Sequence, residues 1–387
     1  MIRFILLFIL VTFAHAMEQK SNILIKYIGY SDFADEKAVE GDTKLKFEND
    51  FFATNIALEY LYSSEYDEKR YINVNELYLM QRHVDYSLTL GKTVQYWGEL
   101  EGYNVADVFN QKNILLNPFD KSAKLGAWSF LVSKYFDENT FEFGIKLYEE
   151  NQKYPKNGTP FSPFAIKYNE DLKLSDERYT PTVFLAYNFV SDTFIDSETK
   201  LILLQGYDSK RYFILTAPSE LSQYAYRVNK FMLLSNIVYK GTIFKCETSY
   251  TDVISDKAMS DYTQLSFGME NSLDEILGVG LNLYTEYYRY IYMDDKIKNV
   301  DISEIYDNDI FLALKLNFND VRNSEIKSGI LYDMINEEKV FKIEAQSRFI
   351  DNLVLSGEYL RLLSANRTVL SQIKESNKVM IGLTYSF

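Results

Sequence analysis

One cysteine, Cys246, leaves the chain without an intramolecular disulfide, so its stability rests on non-covalent contacts. The only histidines are His15 and His83, no H-E-x-x-H or G-x-S-x-G pattern occurs, and nothing resembles a zinc-ligand set. Hydrolytic chemistry commonly relies on imidazole to activate a nucleophile or water, so an enzyme is not expected, and neither is a cofactor or a metal. No run approaches the roughly 20 apolar residues that a helical membrane span needs. The net charge of −14 argues against a nucleic-acid partner. Proline is confined to six positions, which leaves the remaining backbone free to donate to a sheet.

What is present begins with a leader. Met1-Ile2-Arg3 precedes the apolar stretch Phe4 to Phe13 and then Ala14-His15-Ala16, a pattern of the kind signal peptidases cut. Residues 1–16 are expected to be removed, leaving 17–387 as a single domain. The 32 tyrosines and 27 phenylalanines suit pleated surfaces and can furnish interfacial girdles.

Period-2 alternation is the main structural signal, because successive strand residues face opposite sides. Val379, Ile381, Leu383, Tyr385 and Phe387 share one face of the final strand, opposite Lys378, Met380, Gly382, Thr384 and Ser386. Phe341 to Phe349 alternates with Lys342, Glu344, Gln346 and Arg348. Similar patterns occur at Asn55 to Tyr62, Phe141 to Tyr148 and Leu277 to Tyr284, whereas Leu201 to Leu204 is apolar on both faces and gives no register. A soluble β-sandwich also alternates, but these segments are too many for one. The pattern predicts an all-β, transmembrane, antiparallel up-and-down barrel of about 18 strands, with 16 as the alternative.

Short links are expected on the side of the termini at Asp351-Asn352, Asn319 to Ser324, Lys240-Gly241, Ser191 to Asp196, Asp137 to Asn139 and His83 to Asp85. Longer connections are expected on the other side at 94–123, 149–179, 207–223 and 292–307, with Tyr212 to Thr216 as a short strand inside a loop. Half of the prolines, Pro155, Pro160 and Pro163, fall in the second of these. Asp294-Asp295 and Asp307-Asn308-Asp309 carry oxygen ligands suited to a surface Ca²⁺, but a solvated acidic loop is the preferred reading of both.

Two resemblances sharpen the expectation. The closing Leu383, Tyr385 and Phe387 resemble the assembly signal of outer-membrane proteins, which implies recognition by the barrel-assembly machinery. Leu90-Gly91-Lys92-Thr93-Val94-Gln95-Tyr96-Trp97-Gly98-Glu99, Asp107-Val108-Phe109-Asn110 and Asn117-Pro118-Phe119-Asp120 resemble the G-[RK]-Q-x-x-x-W-G-E segment and its acidic continuation in a proteobacterial outer-membrane barrel family of unknown function. The resemblance covers residues 86–120. Thr93 stands where that family has Gln, and Gln111 where it has Pro. It implies a barrel that passes hydrophobic or amphipathic compounds.

Trp97, Glu99 and Asp107 lie in the connection after this strand and are candidates for a constriction loop; an ordinary external loop with Trp97 in a girdle is the alternative. Lys342, Glu344, Gln346, Arg348, Glu142, Lys146, Lys245 and Glu247 are candidates for a charged, water-filled lumen. The alternative is a plugged interior in which they pair across strands. The functional expectation is a porin-like channel in the outer membrane of a Gram-negative bacterium, passing small solutes by diffusion. The alternatives are a structural or adhesive barrel with a closed lumen and a route for hydrophobic compounds. Outer-membrane lipid and lipopolysaccharide are the expected surroundings, and a homo-oligomer is compatible with the pattern.

Overall fold

Each alternating segment becomes a strand because one face meets apolar surroundings while the other meets polar side chains, and eighteen such strands form one antiparallel sheet. The first, Met17–Tyr30, pairs with Glu36–Glu48 on one edge and with the last strand, Lys378–Ser386, on the other, so the sheet closes into a barrel. The computed structural model describes residues 17–192, 195–254, 256, 258–276, 278–293, 305–364 and 368–387. The expected leader, residues 193–194 of one short link, Leu277 and the pair Asp294-Asp295 lie outside the described residues.

The barrel is apolar outside and polar within. Ile25, Ile72, Leu90, Leu203, Phe231 and Ile381 lie exposed on its outer face, whereas Ser87, Thr89, Ser129, Ser249, Thr251 and Ser266 are buried inside. A continuous apolar exterior of this extent belongs in hydrocarbon, since water-facing monomers rarely expose patches beyond a few hundred Å². Leu201 to Leu204 now acquires a register: Leu201 and Leu203 face out, and Ile202 and Leu204 are buried inward.

Short links occupy the end that holds both termini. Lys240 and Gly241 have φ of 49° and 79°, the paired positive values of a tight hairpin turn matched to strand twist. Two links on that side are additions to the sequence reading. At residues 49–51 the Asn49 side chain accepts from Phe51 and Phe52 backbone N–H groups at 2.9 and 2.8 Å. Gly278, at φ 82°, belongs to a turn, so the expected strand across Leu277 to Tyr284 is corrected to one beginning at Val279.

The opposite end carries the long connections. Lys167–Leu174, Tyr212–Ala217 and Glu220–Ala225 form a separate three-stranded sheet there, joining two of these loops over the barrel. Tyr168 and Phe213 of this sheet pack with Tyr154 and Phe164 in mutual ring contacts.

Candidate functional site: a loop across the lumen

Residues 94–126, between strands Tyr86–Thr93 and Ala127–Phe136, fold inward and cross the lumen. The neck is drawn tight by Asn110, whose side-chain amide donates to the Thr93 and Leu125 carbonyls at 3.0 and 2.9 Å while its oxygen accepts from the Gln95 N–H at 2.7 Å. Just before the neck, Gly91 sits at φ 140°, where an added Cβ would stand 2.2 Å from the Leu77 carbonyl oxygen. Trp97 then packs on Phe184 and Phe109, with ring centroids 4.8 and 5.6 Å apart, over the inward residues Ile202, Leu204, Met232 and Leu234. This apolar seat explains why the Leu201 to Leu204 strand is apolar on both faces.

The tip of the loop docks on carboxylates of the far wall. Glu247 accepts from the backbone N–H groups of Glu99 at 2.7 Å and Ala106 at 3.2 Å. Glu286 accepts from those of Glu101 at 2.6 Å and Gly102 at 2.8 Å, and the Tyr288 hydroxyl accepts from Tyr103 at 2.9 Å. Gly102 permits this approach, since an added Cβ would lie 2.7 Å from the Tyr288 hydroxyl oxygen. Charge-assisted bonds of this kind are roughly twice as strong as neutral ones.

Side chains complete the crossing. Lys327 donates to Glu101 from the wall, Lys121 lies 3.5 Å from the same carboxylate, and Asn236 donates to Glu99. Burial alone would oppose ionisation of Glu101, but its hydrogen bond to Lys327 and the nearby charges of Lys121 and Lys327 hold it below the usual carboxylate range. Burial raises Glu99, with the Asn236 hydrogen bond opposing the rise. Lys124 reaches back to Asp107 at 2.5 Å.

A slot remains between the loop tip and the wall. Its cavity is about 100 Å³, lined by Glu101, Gly102 and Phe119 of the loop, by Tyr306, and by Phe311, Leu331, Val340, Leu360 and the charged Lys327, Lys342 and Glu344 of the wall. Below the loop, toward the termini, Glu99, Glu142, Glu198 and Lys200 line a second, more polar cavity. Above it, Phe161 of the proline-rich loop, Leu370 and Ile373 of the last connection, and Leu100 of the crossing loop belong to one buried apolar cluster with Ile28 and Tyr30.

This architecture has close counterparts among solved structures. OccK2 (OpdF) of Pseudomonas aeruginosa in complex with glucuronate aligns over 97% of this chain and 99% of its own, with a TM-score of 0.58 at 10% identity. A BenF-like porin from Pseudomonas fluorescens Pf-5 aligns over 97% and 99%, with a TM-score of 0.56 at 8% identity. OpdK of Pseudomonas aeruginosa with vanillate gives the same coverage, with a TM-score of 0.54 at 9% identity. The fold is that of an outer-membrane porin barrel. No protein-family model matches the chain, and no curated protein matches it in sequence.

Within this barrel the sequence-predicted residues separate into distinct environments. Lys342 and Glu344 pair at 2.7 Å beside the slot. Gln346 donates to Glu325 at 2.8 Å and Arg348 follows on the same inward face, nearer the end that holds the termini. Lys245 pairs with Glu270 at 2.7 Å, and Glu142 with Lys200 at 2.6 Å.

Glu247 and Lys146 are corrections to the picture of a water-filled lumen. Glu247 is fully buried under the crossing loop, and Lys146 is sealed in a pair with Glu149 at 2.7 Å. Asp107 is likewise buried, accepting from Trp97 N–H and from Lys124 instead of facing a passage. Asp309 is also not part of a solvated acidic surface: it is buried inward, opposite Asp333. Leu383, Tyr385 and Phe387 face outward, with the Phe387 backbone exchanging two 2.9 Å hydrogen bonds with Ser21.

Glu286, Glu101, Lys327, Lys200 and Phe161 were missed. Alternation offered a signal for the first, since Tyr284, Glu286, Tyr288 and Tyr290 share one face. The others became visible only through contacts between distant segments.

Proposed function

We propose that the chain is a passive outer-membrane channel of a Gram-negative bacterium that carries small solutes past the crossing loop, through the slot along the wall formed by strands Asn308–Asn317 to Leu353–Leu363. The observation that carries this reading is the slot itself: the loop is pinned to the wall at Glu247 and Glu286, yet a lined cavity persists beside its tip. Phe119, Phe311, Leu331 and Val340 offer apolar contact, and Lys327 and Lys342 oppose Glu101 and Glu344. Such a lining suits small amphipathic solutes, in keeping with the glucuronate and vanillate held by two of the structural counterparts. A constricting role for Trp97 and Glu99, recognition of Leu383, Tyr385 and Phe387 by the assembly machinery, and relationship to the family with the G-[RK]-Q-x-x-x-W-G-E segment belong to the same proposal.

The test is reconstitution of purified, heat-modifiable protein in planar bilayers. Discrete conductance steps are expected, and deletion of residues 98–118 is expected to enlarge them. An unchanged conductance after the deletion removes the constriction.

A second reading, a barrel with a closed lumen and a structural or adhesive role, draws support from the apolar cluster around Phe161 above the loop. Silence of both the intact protein and the deletion variant favours it.

A further inference from the structure

The outer wall carries an arrangement that solute passage does not use. Arg289, Lys339 and Arg361 all face outward, at the edge of the barrel that bears the long loops. Lys339 and Arg361 are diagonal neighbours on adjacent strands, since Lys339 pairs with Leu363 and Phe341 with Arg361. Arg289 stands three strands away and two residues further along its strand, about 16 Å between backbones at ~4.8 Å per strand and ~3.4 Å per residue.

Between them runs one outward row. Tyr287 pairs with Ile310, Ile310 with Tyr332, and Tyr332 with Lys339, whose ammonium lies 5.5 Å from the Tyr332 ring centre. Phe341 and Tyr359 meet edge to face just below. Aromatic residues in such a row mark the interface between hydrocarbon and headgroups. The three cations therefore sit at headgroup height with apolar wall beneath them.

Among the described residues none of the three forms an ion pair with a carboxylate, although the protein is acidic overall. The exposed carboxylate of the adjoining connection 334–338 is Glu337, which makes no such contact. Inside the lumen, by contrast, Lys26, Lys200, Lys245, Lys315, Lys327 and Lys342 each meet a glutamate. Leaving outward cations without carboxylates in an acidic chain is a pattern complementary to external anions.

We propose that Arg289, Lys339 and Arg361 form a docking site for the headgroup of a phosphorylated outer-leaflet glycolipid, with Lys339 and Arg361 meeting one phosphate, Arg289 a second, and Tyr332 lying beneath the sugar between them. The separation of the two cationic points favours a headgroup with two anionic groups over a glycerophospholipid with one. The proposal rests on the barrel spanning the outer membrane, but its test does not depend on channel activity.

The full-length protein in detergent is titrated with bisphosphorylated lipid A, its dephosphorylated form and phosphatidylglycerol, with bound lipid counted by native mass spectrometry. Lipid A is expected to be retained in preference to both others, and the triple variant Arg289→Gln, Lys339→Gln, Arg361→Gln to weaken it about tenfold, the scale of losing charge-assisted contacts. Arg289→Lys with Arg361→Lys is expected to keep most of the binding. Heat modifiability on gels reports folding, and Lys339→Gln alone serves if the triple variant does not fold. Equal retention of phosphatidylglycerol, retention unaffected by the substitutions, or no lipid A binding overturns the assignment. Failure of conductance with lipid binding intact sinks the channel reading and leaves this one standing.

Discussion

Phe161 donates its backbone N–H to the Ser376 hydroxyl at 2.7 Å, tying the proline-rich loop to the last connection of the chain. Phe161 holds a φ of 65°, a conformation that bulky residues seldom adopt, and its side chain is 2% exposed within the cluster above the crossing loop. A strained backbone kept in place by a hydrogen bond and an apolar seat makes this contact a candidate for the outer restriction. Phe161→Ala is therefore expected to lengthen open times or raise conductance in bilayers, with unchanged heat modifiability. Identical single-channel records for variant and parent place the restriction elsewhere.

Glu247 holds the crossing loop to the wall. It meets two backbone N–H groups of the crossing loop with its two carboxyl oxygens, and a typical intramolecular hydrogen bond contributes about 0.5–1.5 kcal/mol net. Glu247→Ala is expected to leave the barrel closed but loosen the loop, seen as noisier, larger conductance and as new protease cleavage within residues 94–126. Glu247→Gln, which retains an acceptor, is expected to fall between. Cleavage patterns that do not differ among the three proteins count against the anchoring role.

Lys124 predicts a pH dependence. Burial holds its ammonium down at about 8 from an ordinary 10.5, with Asp107 opposing the fall. The folded loop therefore binds this proton more weakly than the unfolded chain does, so the contribution to stability rises with pH between about 8 and 10.5 and is flat below. Loop protection in hydrogen exchange, corrected for intrinsic rates, should increase across that window in the parent and not in Lys124→Met. Asp107→Asn, which leaves the lysine buried without its counter-ion, is expected to cost ~3–5 kcal/mol of local stability. A pH-independent difference between parent and Lys124→Met contradicts the assignment.

The slot carries balanced charge, Lys327 with Glu101 and Lys342 with Glu344, while the chain as a whole is acidic. Weak cation preference is expected from reversal potentials across a salt gradient. Glu101→Gln should release Lys327 and Lys121 and move the reversal potential toward anions, and Lys327→Met should move it the other way. A strong anion preference in the parent protein defeats this account of the lining.

Alternation determined the architecture because a barrel in hydrocarbon permits one solution for each strand: apolar out, polar in. Val379 to Phe387 and Phe341 to Phe349 therefore declared their faces without a structure, and counting links from the C-terminal strand was enough to orient the long loops. The hairpins at residues 49–51 and at Gly278 escaped because Phe51-Phe52 and Ile276-Leu277 carry apolar residues up to the turn, whereas Lys240-Gly241 and Asp351-Asn352 interrupt the pattern.

The segment around Trp97 could be read as a long connection containing an aromatic and several acids, but its direction into the lumen could not. That is decided by Glu247, Glu286 and Tyr288, which lie at least 141 residues away from the backbone groups they receive. The same distance misled the reading of inward charge. Glu247, Lys146 and Lys342 look alike in an alternating strand, yet the first two are sealed by loops and only the third borders the slot. Strand periodicity reports which side of the sheet a residue faces, a local property of the pleat. Whether water, a loop backbone or a counter-ion waits on that side depends on segments remote in sequence, and only the tertiary structure decided it.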